Sequence, residues 1–214
     1  MIVFPSNNRG FVAGWLAGTF PGRIAHLYSI GGLSTLYPQV SFALDNGRFP
    51  AWSTGAKWDE YAYIGMLDRV AEMGGKPAWV LCPDVVTKAD ETCKEFDKWA
   101  PRLQRYGWPL AFAVQDGMEP DHVPEEAKFV FLGGSTEWKR KTMRDWCDAF
   151  PGKVHVGRIN TGKWLWECHE AGAISCDGTG WFRGDQAQLA QLVSYLERSS
   201  QNLGNYRGGE LFKA

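Results

Sequence analysis

Residues 110–134 read LAFAVQDGMEPDHVPEEAKFVFLGG. They hold two apolar runs, Leu110–Val114 and Phe129–Leu132, which stop at Gln115-Asp116-Gly117 and at Gly133-Gly134. Neither run alternates apolar with polar residues. A strand that is apolar on both faces belongs in a parallel sheet covered on both sides. The same grammar recurs along the chain. Ile2–Pro5 runs into Ser6, Ala25–Ile30 into Gly31-Gly32, Val40–Leu44 into Asp45-Asn46-Gly47, and Pro77–Cys82 into Pro83-Asp84. Val154–Val156 runs into Gly157-Arg158, and Ala173–Cys176 into Asp177-Gly178-Thr179.

Helical patterns separate most of these runs. Residues 57–74 place Tyr61, Ile64, Leu67 and Ala71 on one face, and residues 88–105 do the same with Thr92, Phe96, Trp99 and Leu103. Thr87 and Asp90 have the spacing of a capping box. Further helices are expected over 10–20, 135–150 (with Trp138, Trp146 and Ala149), 161–171 and 184–199, the third of these capped by Thr161 and closed near Gly172. The crossover Glu119–Lys128 reads as short and irregular. Eight strands alternating with helices predict a single-domain (β/α)8 barrel over residues 1–199, followed by a polar extension over 200–214. The 214 residues allow about 27 per strand–helix unit, near the lower limit for this fold. An open doubly wound sheet competes with it, but no GxGxxG follows the first strand and no Walker A motif occurs.

Composition narrows the function. Lys and Arg number 23 against 24 Asp and Glu, so no basic field exists to hold nucleic acid by bulk charge. The 44% hydrophobic content is that of an ordered domain. No apolar run is long enough for a membrane helix, and no secretory leader is apparent, so a cytoplasmic protein without membrane association is expected. Five cysteines at irregular spacing read as reduced thiols, and neither a metal site nor a cofactor is expected. The four histidines are scattered, with none at the end of a strand.

In a barrel, chemistry gathers at the C-terminal ends of the strands. The polar residues there are Asp45, Asp84, Gln115, Asp116, Arg158, Asn160 and Asp177. Any one of them is explained by a turn or a helix cap. Their coincidence on one face points to a site. With no phosphate loop and no Ser-His-Asp order, carboxylate chemistry remains. One carboxylate can attack an anomeric carbon while another moves protons. A further carboxylate and amide can read the donor and acceptor edge of a base such as guanine.

At these residues the chain resembles the tRNA-guanine transglycosylase superfamily, and most of all its compact DpdA-like branch of phage and bacterial 7-deazaguanine DNA modification. The resemblance rests on Ala43–Phe49, Cys82-Pro83-Asp84, Val114–Gly117, Leu132–Ser135, Gly157–Thr161 and Ser175–Thr179. It implies a base-exchange transglycosylase that replaces guanine in nucleic acid by a 7-deazaguanine. Asp177 would be the nucleophile and Asp45 the second catalytic carboxylate. Asp84 and Gln115 would read the base, Gly133 and Gly134 would offer backbone N–H groups, and Phe49 and Val156 would wall the base. Arg158 and Asn160 complete the substrate-binding set. The zinc subdomain and RNA-binding domain of the tRNA enzymes are missing from the pattern. DNA is therefore expected before tRNA, with a free guanine or 7-deazaguanine base and accessory DNA-modification proteins as partners. Asp116 stands where the tRNA enzymes carry glycine, which implies a different base preference. Trp52, Trp138 and Trp181 are candidates to stack on splayed bases, and Lys139, Arg140, Lys141, Arg144 and Arg183 to hold phosphates. A tRNA enzyme, a hydrolytic N-glycosylase using the same Asp177, and a non-catalytic binding module are the alternatives.

Overall fold

Each of the eight apolar runs overlaps a strand in the computed structural model, which describes residues 1–6, 11–33, 35–182 and 186–201, although β6 starts two residues before its run and β8 ends two residues after. The strands are β1 (Ile2–Pro5), β2 (His26–Tyr28), β3 (Phe42–Leu44), β4 (Val80–Leu81), β5 (Leu110–Val114), β6 (Ala127–Leu132), β7 (Val154–Val156) and β8 (Ser175–Gly178). All paired neighbours are parallel, in the order β1-β8-β7-β6-β5-β4-β3-β2. The remaining gap is bridged between β1 and the chain around β2, at Val3–Ile24 and Ser6–Leu27. The result is a (β/α)8 barrel, and the open doubly wound sheet is excluded. The described residues form seven α-helices, α1 (Phe11–Thr19), α2 (Arg48–Thr54), α3 (Glu60–Glu72), α4 (Ala89–Leu103), α5 (Thr136–Ala149), α6 (Gly162–Ala171) and α7 (Gln186–Gln201), with α2 and α3 both between β3 and β4 and none described between β2 and β3. Between β5 and β6 the described crossover holds a single 3-10 turn, Pro120–His122.

Strand parity divides the core in two. Phe4, Leu27, Ala43, Trp79, Leu81, Ala111 and Ala113 pack together inside the barrel, with Phe129 and Phe131 beside them. The alternate residues, among them Val3, Leu44, Val80, Phe112, Val130 and Val156, face the helices. The three alanines from β3 and β5 are small and Trp79 and Phe131 are large, so small and large side chains share the narrow interior. Trp79 is fully buried, and its truncation would cost about 3–5 kcal/mol.

Several local expectations change. α3 buries Tyr63, Met66, Leu67 and Val70 and leaves Tyr61 exposed. Its inward stripe is therefore turned from the one expected on Tyr61, Ile64, Leu67 and Ala71. α4 buries the expected residues, but Thr87 does not cap it. Lys88 occupies the N-cap without a side-chain bond, and Thr87 takes a positive φ of 62°. Thr161 does cap α6, accepting from Trp164 N, and Gly172 ends that helix at φ 92°. Trp181 is fully buried, so it is no stacking platform. Arg183 and residues 202–214, most of the expected extension, lie outside the described residues. No helix among the described residues is long and apolar enough to cross a membrane.

Candidate active site

The C-terminal strand ends surround a cavity of about 380 Å3. Asp45, Phe49, Asp84, Gln115, Gly133, Gly134, Arg158, Asn160 and Asp177 all line it. Val156 does not. It is fully buried on the helix side of β7, because alternation along that strand sends His155 inward instead.

Asp45 follows β3. Burial comes first among the causes that raise its carboxyl to about 7, and the charges of Asp177 and Asp84 add to it. Hydrogen bonds from the Gly47 backbone and the Ser29 hydroxyl pull the other way. A carboxyl with its midpoint near neutrality exchanges protons readily in either direction.

Asp84 is held by the interior. Its Oδ1 accepts from Asn46 Nδ2 at 2.8 Å and its Oδ2 from Gln115 Nε2 at 2.7 Å. Burial raises this carboxyl too, against the Asn46 hydrogen bond and the charges of Arg48 and Arg158. Gln115 is also engaged at its other end, where Oε1 accepts from Thr87 N at 2.9 Å and from Gly134 N at 3.0 Å. The N–H of Gly133 bonds Val114 O at 3.0 Å. Neither glycine N–H is thus left for a ligand, contrary to expectation. The two glycines serve close packing instead. A Cβ on Gly133 would stand 3.0 Å from Gln115 Nε2, and one on Gly134 would stand 2.6 Å from Asp116 Oδ2. Asp116 accepts from the backbone N and the hydroxyl of Ser135, so it clamps the entry to α5 and does not select a ligand.

Asp177 closes the ring from β8. Its Oδ1 lies 3.1 Å from His155 Nε2, while His155 Nδ1 lies 2.8 Å from Ser175 Oγ. The His155 ring stacks on Phe131 at 5.1 Å and meets Trp79 edge-on at 4.9 Å. Sequence reading missed this histidine because it sits mid-strand. The signal was its position in an otherwise apolar run, Val154–Val156.

Arg158 is the one cation among the described residues lining the cavity. It takes a positive φ of 63°, uncommon for a residue with a Cβ. Its guanidinium lies over the Phe49 ring at 4.3 Å and donates to Gly134 O. Asn160 accepts from Gly180 N at 2.8 Å and so also steadies the rim. No residue of the basic cluster on α5 lines the cavity. Lys139 is buried against Gly157 O, Arg140 pairs with Glu167, and Arg144 donates to Glu170 O. Trp52 is exposed and packs near Phe49, with ring centroids 5.7 Å apart. Among the described residues, no three His, Cys, Asp or Glu side chains converge as a metal-ligand set.

No family model matches the chain, and no curated protein does. Solved structures do match. A structure described as native KDPGal has a TM-score of 0.50 at 16% identity, covering 94% of this chain and 95% of its own. A 3-hexulose-6-phosphate synthase has a TM-score of 0.52 at 14% identity, covering 92% and 96%. At these identities the likeness is one of fold. It nevertheless overturns the family resemblance drawn from the strand-end motifs. The barrels named here are not transglycosylases, and both are matched over nearly their whole length. The tRNA-guanine transglycosylase assignment is withdrawn, and with it guanine exchange in DNA or tRNA and the hydrolytic variant. The motifs misled because two to five polar and glycine residues at a strand end are what any barrel mouth presents.

Proposed function

We propose that this protein is an enzyme that carries out acid–base chemistry on a small polyhydroxylated substrate, at a carbon next to a carbonyl. The observation that carries this reading is Asp45, a carboxyl with its midpoint near 7, facing the same cavity as Arg158. Three carboxylates against one guanidinium favour a ligand rich in hydroxyl donors with a single anionic or carbonyl group. The synthase among the structural neighbours is named for a hexulose phosphate, a molecule of that kind.

In aldol cleavage, ionised Asp45 takes the proton of a hydroxyl β to the carbonyl. The O–H electrons form a new C=O as the carbon–carbon bond breaks. Its bonding pair passes into an enolate, whose oxygen faces Arg158, and the proton returns to carbon. The reverse steps make the bond. Asp84 and Asp177 accept from the substrate's other hydroxyls and fix its orientation.

Ketose phosphates and 2-keto sugar acids, incubated with the protein in deuterated water and followed by proton NMR, test the reading. Deuterium entering next to the carbonyl, or release of an aldehyde, is expected with at least one of them. Asp45→Asn should slow it by about a hundredfold or more. Absence of exchange and cleavage across both classes would sink it.

A further inference from the structure

A second cavity, of about 730 Å3, lies on the outer side of the barrel between α1 and the chain that joins β2 to β3. Its size falls within the usual range for small-molecule sites. Its walls are largely apolar and aromatic, with Phe11 and Trp15 from α1, Ile24, Val40 and the ring of Tyr37. α1 carries no charged residue, and at Gly14 and Gly18 nothing stands within 4 Å of where a Cβ would be.

The buried polar side chain in this wall is His26, only 5% exposed. Its protonation can be read from its neighbour. Tyr28 Oη donates to Thr35 O at 2.8 Å and lies 2.9 Å from His26 Nδ1. A tyrosine hydroxyl has one proton, and a carbonyl can only accept. The proton between Tyr28 and His26 therefore sits on Nδ1, and Nε2 keeps a lone pair. Among the described residues no hydrogen bond to Nε2 is seen, and His26 lines the cavity. Burial lowers the pKa of the imidazole from its usual value, which favours the neutral ring.

We infer that this cavity binds a small aromatic molecule carrying one hydrogen-bond donor, of the phenol or indole class. The donor meets His26 Nε2, and the ring lies among Trp15, Tyr37 and Ile24. Aromatic walls favour an aromatic guest through edge-to-face contacts. A single buried acceptor in an apolar wall favours a guest with a single donor. The site is independent of the reaction assigned to the barrel mouth.

The full chain, labelled with 15N-histidine, is titrated with indole, phenol, 1-methylindole and toluene. Indole and phenol should move the His26 Nε2 resonance. They should also bind about tenfold more tightly than their donor-free counterparts, the worth of one hydrogen bond. His26→Phe should erase that preference. Gly14→Leu, placed where space is open, should fill the cavity and abolish binding with an unchanged circular dichroism spectrum. Equal affinity for indole and 1-methylindole, an unmoved His26 resonance, or undiminished binding in Gly14→Leu would each overturn the inference.

Discussion

His155 Nε2 lies 3.1 Å from Asp177 Oδ1 across the seam between β7 and β8. His155 is in register with Ser175, and Asp177 lies two residues further along the same inward face. Both ring nitrogens thus find partners on β8, inside a layer otherwise built from Phe4, Trp79 and Phe131. The pair sets the direction in which Asp177 presents its free oxygen to the cavity. His155→Phe keeps much of the ring's packing but strips Asp177 Oδ1 and Ser175 Oγ of a partner in a dry environment. Urea unfolding should show a loss of about 1–3 kcal/mol, accompanied by lower turnover. A variant as stable and as active as the parent would mean that the pair is idle.

Asp45 gives the fold a pH signature. Its carboxyl is raised to about 7 in the folded chain, from 3.8. Between those values the native state holds a proton that the unfolded state has released. Native stability from this source is therefore complete below about pH 4 and is lost as pH rises towards 7. The full amplitude is on the order of 4 kcal/mol. Asp45→Asn cannot ionise, so its stability relative to the parent should climb from pH 5 to pH 8. Parallel stability curves for the two proteins over that range would show that the carboxyl titrates elsewhere.

The fold was legible because continuous apolar runs are a strong signal. Leu110–Val114 and Val154–Val156 keep both ends in the structure, whereas Pro77–Cys82 shrinks to Val80–Leu81, between Pro77 and the Pro83 that follows the run. α2 was invisible because Arg48–Thr54 is seven residues long, contains Pro50 and buries none of its residues. The face of α3 was ambiguous, since Tyr61 and Tyr63 start two interleaved apolar stripes and only the neighbouring Trp58 and Trp99 select Tyr63. At the site, position was legible and parity was not. Strand-end carboxylates identify a barrel mouth from chain order alone. Whether Val156 or His155 faces inward depends on register with β6 and β8. The reaction was less legible still, because one barrel frame carries many chemistries on the same kinds of residue.

Gly178 is the tightest point beside the site. A Cβ there would stand 2.0 Å from Ile159 O, 2.6 Å from Trp181 Nε1 and 2.9 Å from Asn160 Oδ1. Two of these are groups on the segment that follows β7, and Ile159 N itself bonds Asp177 O at 2.6 Å. Gly178→Ala must push that segment away and turn Asp177 with it. A stability loss of about 1–3 kcal/mol is expected. Turnover should fall further than that loss explains, because residual folded protein would still carry a displaced carboxylate. Comparing turnover per folded molecule with the unfolding midpoint separates the two effects. Full turnover in the folded fraction would show that Asp177 tolerates the shift.

Lys139 provides the opposite titration. It is 1% exposed, and burial, aided by the Arg158 charge, lowers its ammonium to about 8 from 10.5. Between pH 8 and 10.5 the folded chain has released a proton that the unfolded chain keeps, so stability from this group rises with pH. Below that window the fold carries a buried ammonium at a cost of about 3 kcal/mol, offset in part by its bond to Gly157 O. Lys139→Met keeps the length of the side chain and removes the charge, but leaves that carbonyl without its donor. At pH 7 the variant should be at least as stable as the parent. The decisive comparison is urea unfolding at pH 7.5 and 9.5, where the parent should gain about 1–2 kcal/mol that the variant does not. An equal gain in both would place the titration on another group and leave Lys139 charged and stabilised where it lies.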